Sequence, residues 1–338
     1  MKDTKPLVSV IMAVHNASAY VRLAVDSILN QSVRNLEFII IDDCSTDDSA
    51  AIIESYRDPR IRFIRNEKQS GLAFSLNRGL AMTSGSFIAR MDADDISHPD
   101  RLQLQLAYMA KNRLDVCGGA ISRIDTNGNV FKKRVAYSGS DKQLKANTVL
   151  SPQFFHPAVV FRSSFLKKQN VEYDETYRRA QDFELWSRLV FGVDEVRFGN
   201  VNKLVLSYRD LPDLNAKSTR NTYQSEVADS IRVLNLTRLA VPYRQSYPVL
   251  NKFLRKEKLS KSELFRLVVL FRGLNVRSLE RFGACPQVSS LFPLQWVGGG
   301  GIVLYWRERL YRNQVFLKQL RQFLTVLQSI LLKRNKLA

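Results

Sequence analysis

Leu7-Val8-Ser9-Val10-Ile11-Met12-Ala13-Val14 is an apolar, β-branched run broken only by Ser9, and it narrows the available folds more than any other stretch. A half-solvated strand alternates apolar and polar residues, so a run like this one requires cover on both faces, the condition of a parallel strand between helices. After His15-Asn16, apolar residues recur at helical spacing through Tyr20, Val21, Ala24, Val25, Ile28 and Leu29, and a second buried run, Leu36 to Ile41, follows. This is a βαβ unit. A third strand is predicted over Ile61 to Arg65, and then Gly71 opens a helix through Leu72, Leu76, Leu80 and Met82. The expected class is α/β.

Two acidic clusters sit where such strands end. Asp42-Asp43-Cys44-Ser45-Thr46-Asp47 follows the second strand, and Gly85-Ser86-Phe87-Ile88-Ala89-Arg90-Met91 runs as a short buried strand into Asp92-Ala93-Asp94-Asp95. Carboxylates at that density repel one another and lose hydration, so the cluster calls for a cation or a donor-rich ligand. The plainer reading is an acidic turn ahead of a helix from Pro99 to Lys111, with Pro99 at the first helical position. Ser45 or Thr46 is expected to cap the helix carrying Ala50, Ile53 and Tyr56. In an open α/β sheet ligands bind at the carboxyl ends of the strands, which brings both clusters to one crevice. No Gly-x-Gly-x-x-Gly and no phosphate-cradling Gly-rich loop with Lys and Ser/Thr is present, so dinucleotide oxidoreductases and P-loop enzymes are disfavoured. Carboxylates with Mg²⁺ or Mn²⁺ are the alternative device for holding a diphosphate.

From Leu114 onward the pattern is mixed. Val116 to Ile124 and Val130 to Val135 read as a hairpin around Thr126-Asn127-Gly128-Asn129. His156-Pro157 stands at the start of a strand through Val159, Val160 and Phe161. Ala180 to Leu189 reads as an amphipathic helix with Asp182 in its first turn, where a carboxylate is a cap or dipole partner unless chemistry claims it.

Together, Val8 to Asn16, Ile41 to Asp47, Gly71-Leu72-Ala73 with Asn77-Arg78-Gly79, Asp92 to Asp95 with Pro99-Asp100-Arg101, and Asp182 ahead of Leu185-Trp186 resemble the family 2 inverting glycosyltransferases of GT-A fold. The resemblance spans roughly residues 7 to 210. It implies a Rossmann-like mixed sheet with flanking helices and transfer of a sugar from a nucleotide-diphosphate donor. By resemblance, Asp43 accepts the N3–H of a uracil-like base, Asp92 binds the ribose and Asp94 holds the divalent cation. His156 lies where the family has a histidine near metal and diphosphate, and Asp182 matches the general base. Ala13 and His15 replace the family's frequent proline and aromatic, so stacking on the base falls to an imidazole. Gln181 replaces an acidic residue before the base. No Gln-x-x-Arg-Trp of processive relatives follows Asp182, which points to one sugar per encounter.

Charge separates the chain into two parts. Of 338 residues with net charge +19, residues 1–219 hold 30 Lys and Arg against 26 Asp and Glu, and residues 220–338 hold 21 against 6. A catalytic domain over 1–215 and a helical, basic region over 216–338 are expected, the latter suited to an anionic membrane surface. In that region Lys217 to Leu239 reads as a helix, and Ser260-Lys261-Ser262-Glu263 is a capping box opening a run through Phe271. Phe282 to Trp306 lacks charge but carries Pro286, Pro293 and Gly298 to Gly301, against a spanning helix. A last amphipathic helix is read through Leu310, Leu317, Leu324 and Leu331. Three scattered cysteines and an N-terminus without a signal-peptide pattern fit the cytoplasm, peripheral to the inner face of the plasma membrane. The acceptor is expected to be a saccharide or lipid-linked saccharide of a surface polysaccharide. The competing readings are a nucleotidyltransferase and a nucleic-acid-binding protein; the second is disfavoured because the basic residues lie away from the crevice and no nucleic-acid-binding motif is evident.

Overall fold

The computed structural model describes residues 5–211, 219–240 and 248–250, scattered positions between 263 and 284, and two strands, Gln295–Val297 and Gly301–Val303. Tertiary contacts divide the chain into two units, one of residues 1–144 and 152–228, the other of residues 145–151 and 229–338.

The first unit is built on the predicted βαβ pattern. Strands β1 (Val8–Val14), β2 (Leu36–Asp42), β3 (Ile61–Arg65) and β4 (Phe87–Asp92) pair in parallel in the order β3-β2-β1-β4. Val8, Val10, Ile11, Met12 and Val14 of β1 are all buried, because helices lie on both faces of the strand. Helix α1 (Val21–Leu29) buries Val21, Ala24, Val25 and Ile28, the i, i+3, i+4, i+7 stripe of its sequence. Helices α2 (Ser49–Glu54) and α3 (Leu72–Ala81) complete the crossovers. Gly71 precedes α3 at φ 97°, a conformation open to glycine at little cost. Gly85 enters β4 so close to β1 that a Cβ there would lie 2.6 Å from the Ser9 amide nitrogen.

Beyond β4 the sheet becomes mixed. Strand β8 (Val160–Arg162) pairs antiparallel with β4, β6 (Val116–Ile124) antiparallel with β8, and β9 (Phe198–Arg209) parallel with β6. The short β5 (Ile96–Ser97) adds to β9, and β7 (Val130–Val135) forms the predicted hairpin with β6. Helix α4 (Arg101–Asn112), α5 (Asp141–Thr148) and α6 (Ser163–Lys168) precede α7 (Gln181–Gly192), whose fully buried Trp186 packs on Phe154 at 5.0 Å and Phe161 at 5.8 Å between ring centroids.

Three local expectations are corrected. Helix α4 begins at Arg101, since Pro99 lies inside a turn closed by the Arg101 amide on the His98 carbonyl at 3.0 Å. Neither Ser45 nor Thr46 caps α2: the Asp47 carboxylate accepts the Ser49 amide at 3.0 Å and the Ser18 amide at 2.9 Å. His156-Pro157-Ala158 is a single 3₁₀ turn ahead of β8.

In the second unit, α8 (Thr219–Arg238), which begins in the first, continues the helix expected from Lys217 to Leu239. Within this unit Asn235 donates to the Val149 carbonyl and Arg232 to the Leu150 carbonyl. Gln295–Val297 and Gly301–Val303 form a small antiparallel ladder inside the charge-free stretch. Among the described residues no helix is long and apolar enough to cross a membrane. The Ser260 capping box, most of the run to Phe271 and the heptad-spaced leucines from Leu310 lie outside the described residues.

Glu37 of β2 ties the two central crossovers together. It accepts Ser9 Oγ at 2.6 Å and both the amide and hydroxyl of Ser84 at 2.7 Å. Burial pushes its carboxyl up, but these donors and Arg62 outweigh burial and hold it below the ordinary 4.5. A depressed acid stabilises the fold above its unfolded pKa and loses that contribution as pH falls. Glu37→Gln is therefore expected to cost about 1–2 kcal/mol at pH 7. The gap from wild type should close as urea titrations are repeated below pH 4.5. A gap independent of pH would show that packing, not charge, is what glutamine disturbs.

Candidate active site

The carboxyl ends of β1 to β4 converge on one edge of the sheet. Ala13 is the register partner of both Ile41 and Asp92, so it sits at the floor between the two acidic motifs. The Asp43 amide bonds the Val14 carbonyl at 2.7 Å, fixing the start of the loop after β2. Its carboxylate accepts the Asn66 side chain at 2.7 Å and the Ser70 amide at 2.8 Å on Oδ1, and the Gly71 amide at 2.8 Å on Oδ2. Burial alone would raise its pKa, but these N–H donors win and keep Asp43 ionised. Arg78 in turn bonds Asn66 Oδ1 at 2.7 Å, which gives the Asn77-Arg78-Gly79 motif its part. Asn77 exchanges two hydrogen bonds with the backbone of Tyr173.

His15 is exposed beside this pocket. Its Nδ1 lies 2.8 Å from the Asp43 carbonyl, to which it donates, and its Nε2 lies 3.0 Å from the Gln69 side-chain amide.

At the end of β4, carboxylate oxygens of Asp92, Asp94 and Asp95 lie within 4.8 Å of one another. Two arginines frame them. Arg90, 1% exposed within β4, pairs with Asp92 through both guanidinium nitrogens, with one bond of 2.6 Å. Arg209, at the end of β9, donates its amide to Asp95 Oδ1 at 2.8 Å and its Nε to the Asp94 carbonyl at 2.8 Å, and stacks over the Tyr20 ring at 4.4 Å. Burial and then the charge of Asp92 push the Asp94 carboxyl up to about 6, and the same causes with Asp94 raise Asp95 well above the usual range. Asp95 Oδ2 is buried without a hydrogen-bond partner. Hard oxygen donors, an orphaned carboxylate oxygen and excess negative charge fit a Mg²⁺- or Mn²⁺-sized cation.

The opposite wall is carried by the turn at His156 and by α7. His156 is buried against Trp186, its Nε2 2.7 Å from Tyr173 Oη, and burial followed by the nearby Arg90 keeps it neutral. His156 is not a member of the three-carboxylate cluster. Asp182 is half-buried in the first turn of α7, but the N-cap is Ala180, in the left-handed region at φ 53° with no side-chain cap bond. Burial raises the Asp182 pKa against the Phe183 amide and Arg90, which lower it, while Asp92 adds to the rise. Asp182 thus feels the same Arg90 and Asp92 that anchor the acidic cluster.

All the residues singled out in the sequence, Ala13, His15, Asp43, Asp92, Asp94, His156 and Asp182, lie in the first unit. Sequence reasoning passed over Arg90 and Arg209, and named Arg101 within a motif without giving it a role. Arg101, fully buried, bonds the Arg90 carbonyl at 2.8 Å and is pushed down to about 10 by burial, so the motif at Pro99-Asp100-Arg101 is a brace behind β4.

Residues 9–168 match the family described as glycosyl transferase family 2. An uncharacterised glycosyltransferase of Methanocaldococcus jannaschii is 35% identical over 210 residues, covering 61% of this chain and 71% of the relative. The O-antigen biosynthesis glycosyltransferase WbnJ of Escherichia coli is 34% identical over 223 residues, 64% of this chain and 83% of the relative. Among solved structures, a TarS fragment of S. aureus in complex with UDP-GlcNAc has a TM-score of 0.53 at 19% identity, covering 80% of this chain and 82% of that one. This last likeness speaks to the fold, which is GT-A. The chain belongs to glycosyl transferase family 2 and is a glycosyltransferase.

The buried ion pair is open to direct test. Arg90→Met leaves Asp92 facing the other carboxylates without its partner and should lower unfolding free energy by about 3 kcal/mol. Adding Asp92→Asn to that variant should recover part of the loss. Strictly additive effects in a urea-denaturation cycle would mean that the two side chains do not act as a pair.

Proposed function

We propose that this enzyme transfers single hexose units, with inversion, from a UDP-linked donor to a saccharide or lipid-linked saccharide acceptor of a cell-surface polysaccharide. UDP-glucose, UDP-galactose and their N-acetyl derivatives are the donors first to be tried. Residues 1–215 form the catalytic domain in this reading, working in the cytoplasm at the inner face of the plasma membrane. The observation that carries it is the pairing, around Arg90, of an acidic cluster at the end of β4 with a separate raised carboxylate, Asp182.

On the donor side, the Asp43 carboxylate, held ionised by Asn66, Ser75 and the Ser70 and Gly71 amides, is suited to accept a base N–H. His15, with both ring nitrogens held, offers its face to the base above Ala13. Asp92, oriented by Arg90, takes the ribose hydroxyls, and Asp94 with Asp95 holds the cation. When bound, that cation supplies Lewis-acid stabilisation of the departing diphosphate. On the acceptor side, Asp182 takes the proton of the attacking hydroxyl, and its raised pKa makes it a stronger base than a solvated aspartate. His156, its Nε2 2.7 Å from Tyr173 Oη, takes the diphosphate side near the cation, as the resemblance implies.

Asp94→Ala is expected to remove the Mn²⁺-dependent part of UDP affinity in isothermal titration while leaving the melting temperature near wild type. Affinity that still rises with Mn²⁺ in the folded variant would falsify the cation assignment. Asp182→Asn should lower turnover by roughly 10²–10⁴-fold, the usual contribution of a positioned base, with UDP affinity retained. Near-normal transfer would return Asp182 to a structural place at the start of α7, and loss of UDP binding would move it to the donor side.

A further inference from the structure

The hairpin of β6 and β7 carries a surface that catalysis does not use. Val130 and Phe131 are 54% and 56% exposed, the highest values for large apolar side chains among the described residues, and they are adjacent. Lys132, Lys133 and Arg134 follow at once, all exposed, and none forms an ion pair among the described residues. Because side chains alternate along a strand, the three cations occupy both faces of β7, and the strand contains no acid. Arg123 of β6 lies over the Phe131 ring at 5.5 Å, its own charge met by Asp210.

The placement ties this hairpin to the active-site end of the sheet. Ile124 pairs with Val130 on one side and with Arg209 on the other. The Arg209 side chain bonds the carbonyls of Asp125 and Thr126, in the turn of the hairpin, at 2.8 and 3.1 Å, and the Asp94 carbonyl with its Nε. Leu211, 47% exposed, follows Asp210, whose amide bonds the Ile124 carbonyl at 2.9 Å. One arginine thus connects the acidic loop to the turn from which the exposed apolar pair projects.

We propose that this hairpin is a membrane-contact element of the catalytic unit itself, with Val130 and Phe131 entering the interface of an anionic bilayer and Lys132, Lys133 and Arg134 meeting its headgroups. An apolar tip followed by unpaired cations is complementary to such a surface in both its chemistries: the apolar pair gains burial and the cations gain lipid phosphates. A soluble polyanion would use the cations alone and leave the apolar pair exposed. The proposal concerns residues outside the basic C-terminal region, and it stands whether or not the donor and acceptor assignments hold, because vesicle binding needs neither.

The test uses the full chain. Partition onto vesicles of phosphatidylcholine with one third phosphatidylglycerol, against pure phosphatidylcholine, is measured for wild type and for Lys132→Gln/Lys133→Gln/Arg134→Gln. The triple variant should bind anionic vesicles on the order of a hundredfold more weakly, the sum expected for three cations at the surface, with its melting temperature unchanged on this exposed edge. Phe131→Ser should also weaken partition at constant charge. Phe131→Trp, read as a difference spectrum from wild type, should shift its emission to the blue with anionic vesicles and not with neutral ones. Unchanged partition in the triple variant would assign all membrane attraction to the C-terminal region and overturn the proposal. A triple variant that loses heparin and vesicles alike, with Phe131→Ser silent and no spectral shift in Phe131→Trp, would overturn it in favour of a polyanion site.

Discussion

The active-site end of this sheet depends on a guanidinium buried in the wrong-looking place. Arg90 occupies the middle of an otherwise apolar strand at 1% exposure, a position that costs several kcal/mol unless the charge is met. Asp92 meets it directly, and the field of Arg90 reaches further: it lowers the carboxyls of Asp94, Asp95 and Asp182 against burial and helps to keep His156 neutral. Arg101 lies behind it and holds its carbonyl, and Arg209 closes the other side of the loop. Even so, four carboxylates share these cations, three of them with pKa values pushed up by burial and by Asp92. The folded chain therefore stores negative charge that it does not neutralise itself, which is the electrostatic character a cation site requires.

How much of this was legible in the sequence follows from which patterns are local. Strands β1 and β2 were legible because a strand covered on both faces must be nearly continuously apolar, as Val8 to Val14 and Leu36 to Ile41 are. The hairpin of β6 and β7 was legible from its Asn-Gly turn. By contrast, β9 reads Phe-Gly-Asn-Val-Asn-Lys-Leu-Val-Leu-Ser-Tyr-Arg, whose register shifts against β6 break the alternation, whereas β8 was read from its Val159-Val160-Phe161 run. The acidic motifs were legible because carboxylates at strand ends are costly without a reason. Arg90, Arg101 and Arg209 were not, because a single arginine carries no sign of burial. The only signal available was an arginine placed within an apolar run, as Arg90 is between Ala89 and Met91.

The two sides of the site differ in how fully their carboxylates are satisfied. Asp43 receives donors from Asn66, Ser75 and the Ser70 and Gly71 amides, with Arg78 behind Asn66, and is held in its charged form; it is built to recognise. Asp182 has backbone donors at one helix terminus and otherwise only burial and distant charges around it. A fully bonded carboxylate has little tendency to accept a proton, whereas a desolvated, sparsely bonded one does. The same residue type thus serves recognition and proton transfer by environment alone.

The start of α7 shows how that sparse bonding is maintained. An ordinary N-cap would place Ser, Thr, Asn or Asp at position 180 and satisfy the first amides of the helix there. Ala180 has no side chain to do so, and it sits at φ 53°, a left-handed conformation costing about 1 kcal/mol or more for a residue with a Cβ. The amides of Asp182 and Phe183 then turn to the Asp182 carboxylate. Those bonds and Arg90 pull its pKa down while burial and Asp92 pull it up, and burial wins. The strained, uncapped residue two places earlier in the chain is therefore part of what sets the basicity of Asp182: it leaves helix-end donors to moderate a desolvated carboxylate without pairing it.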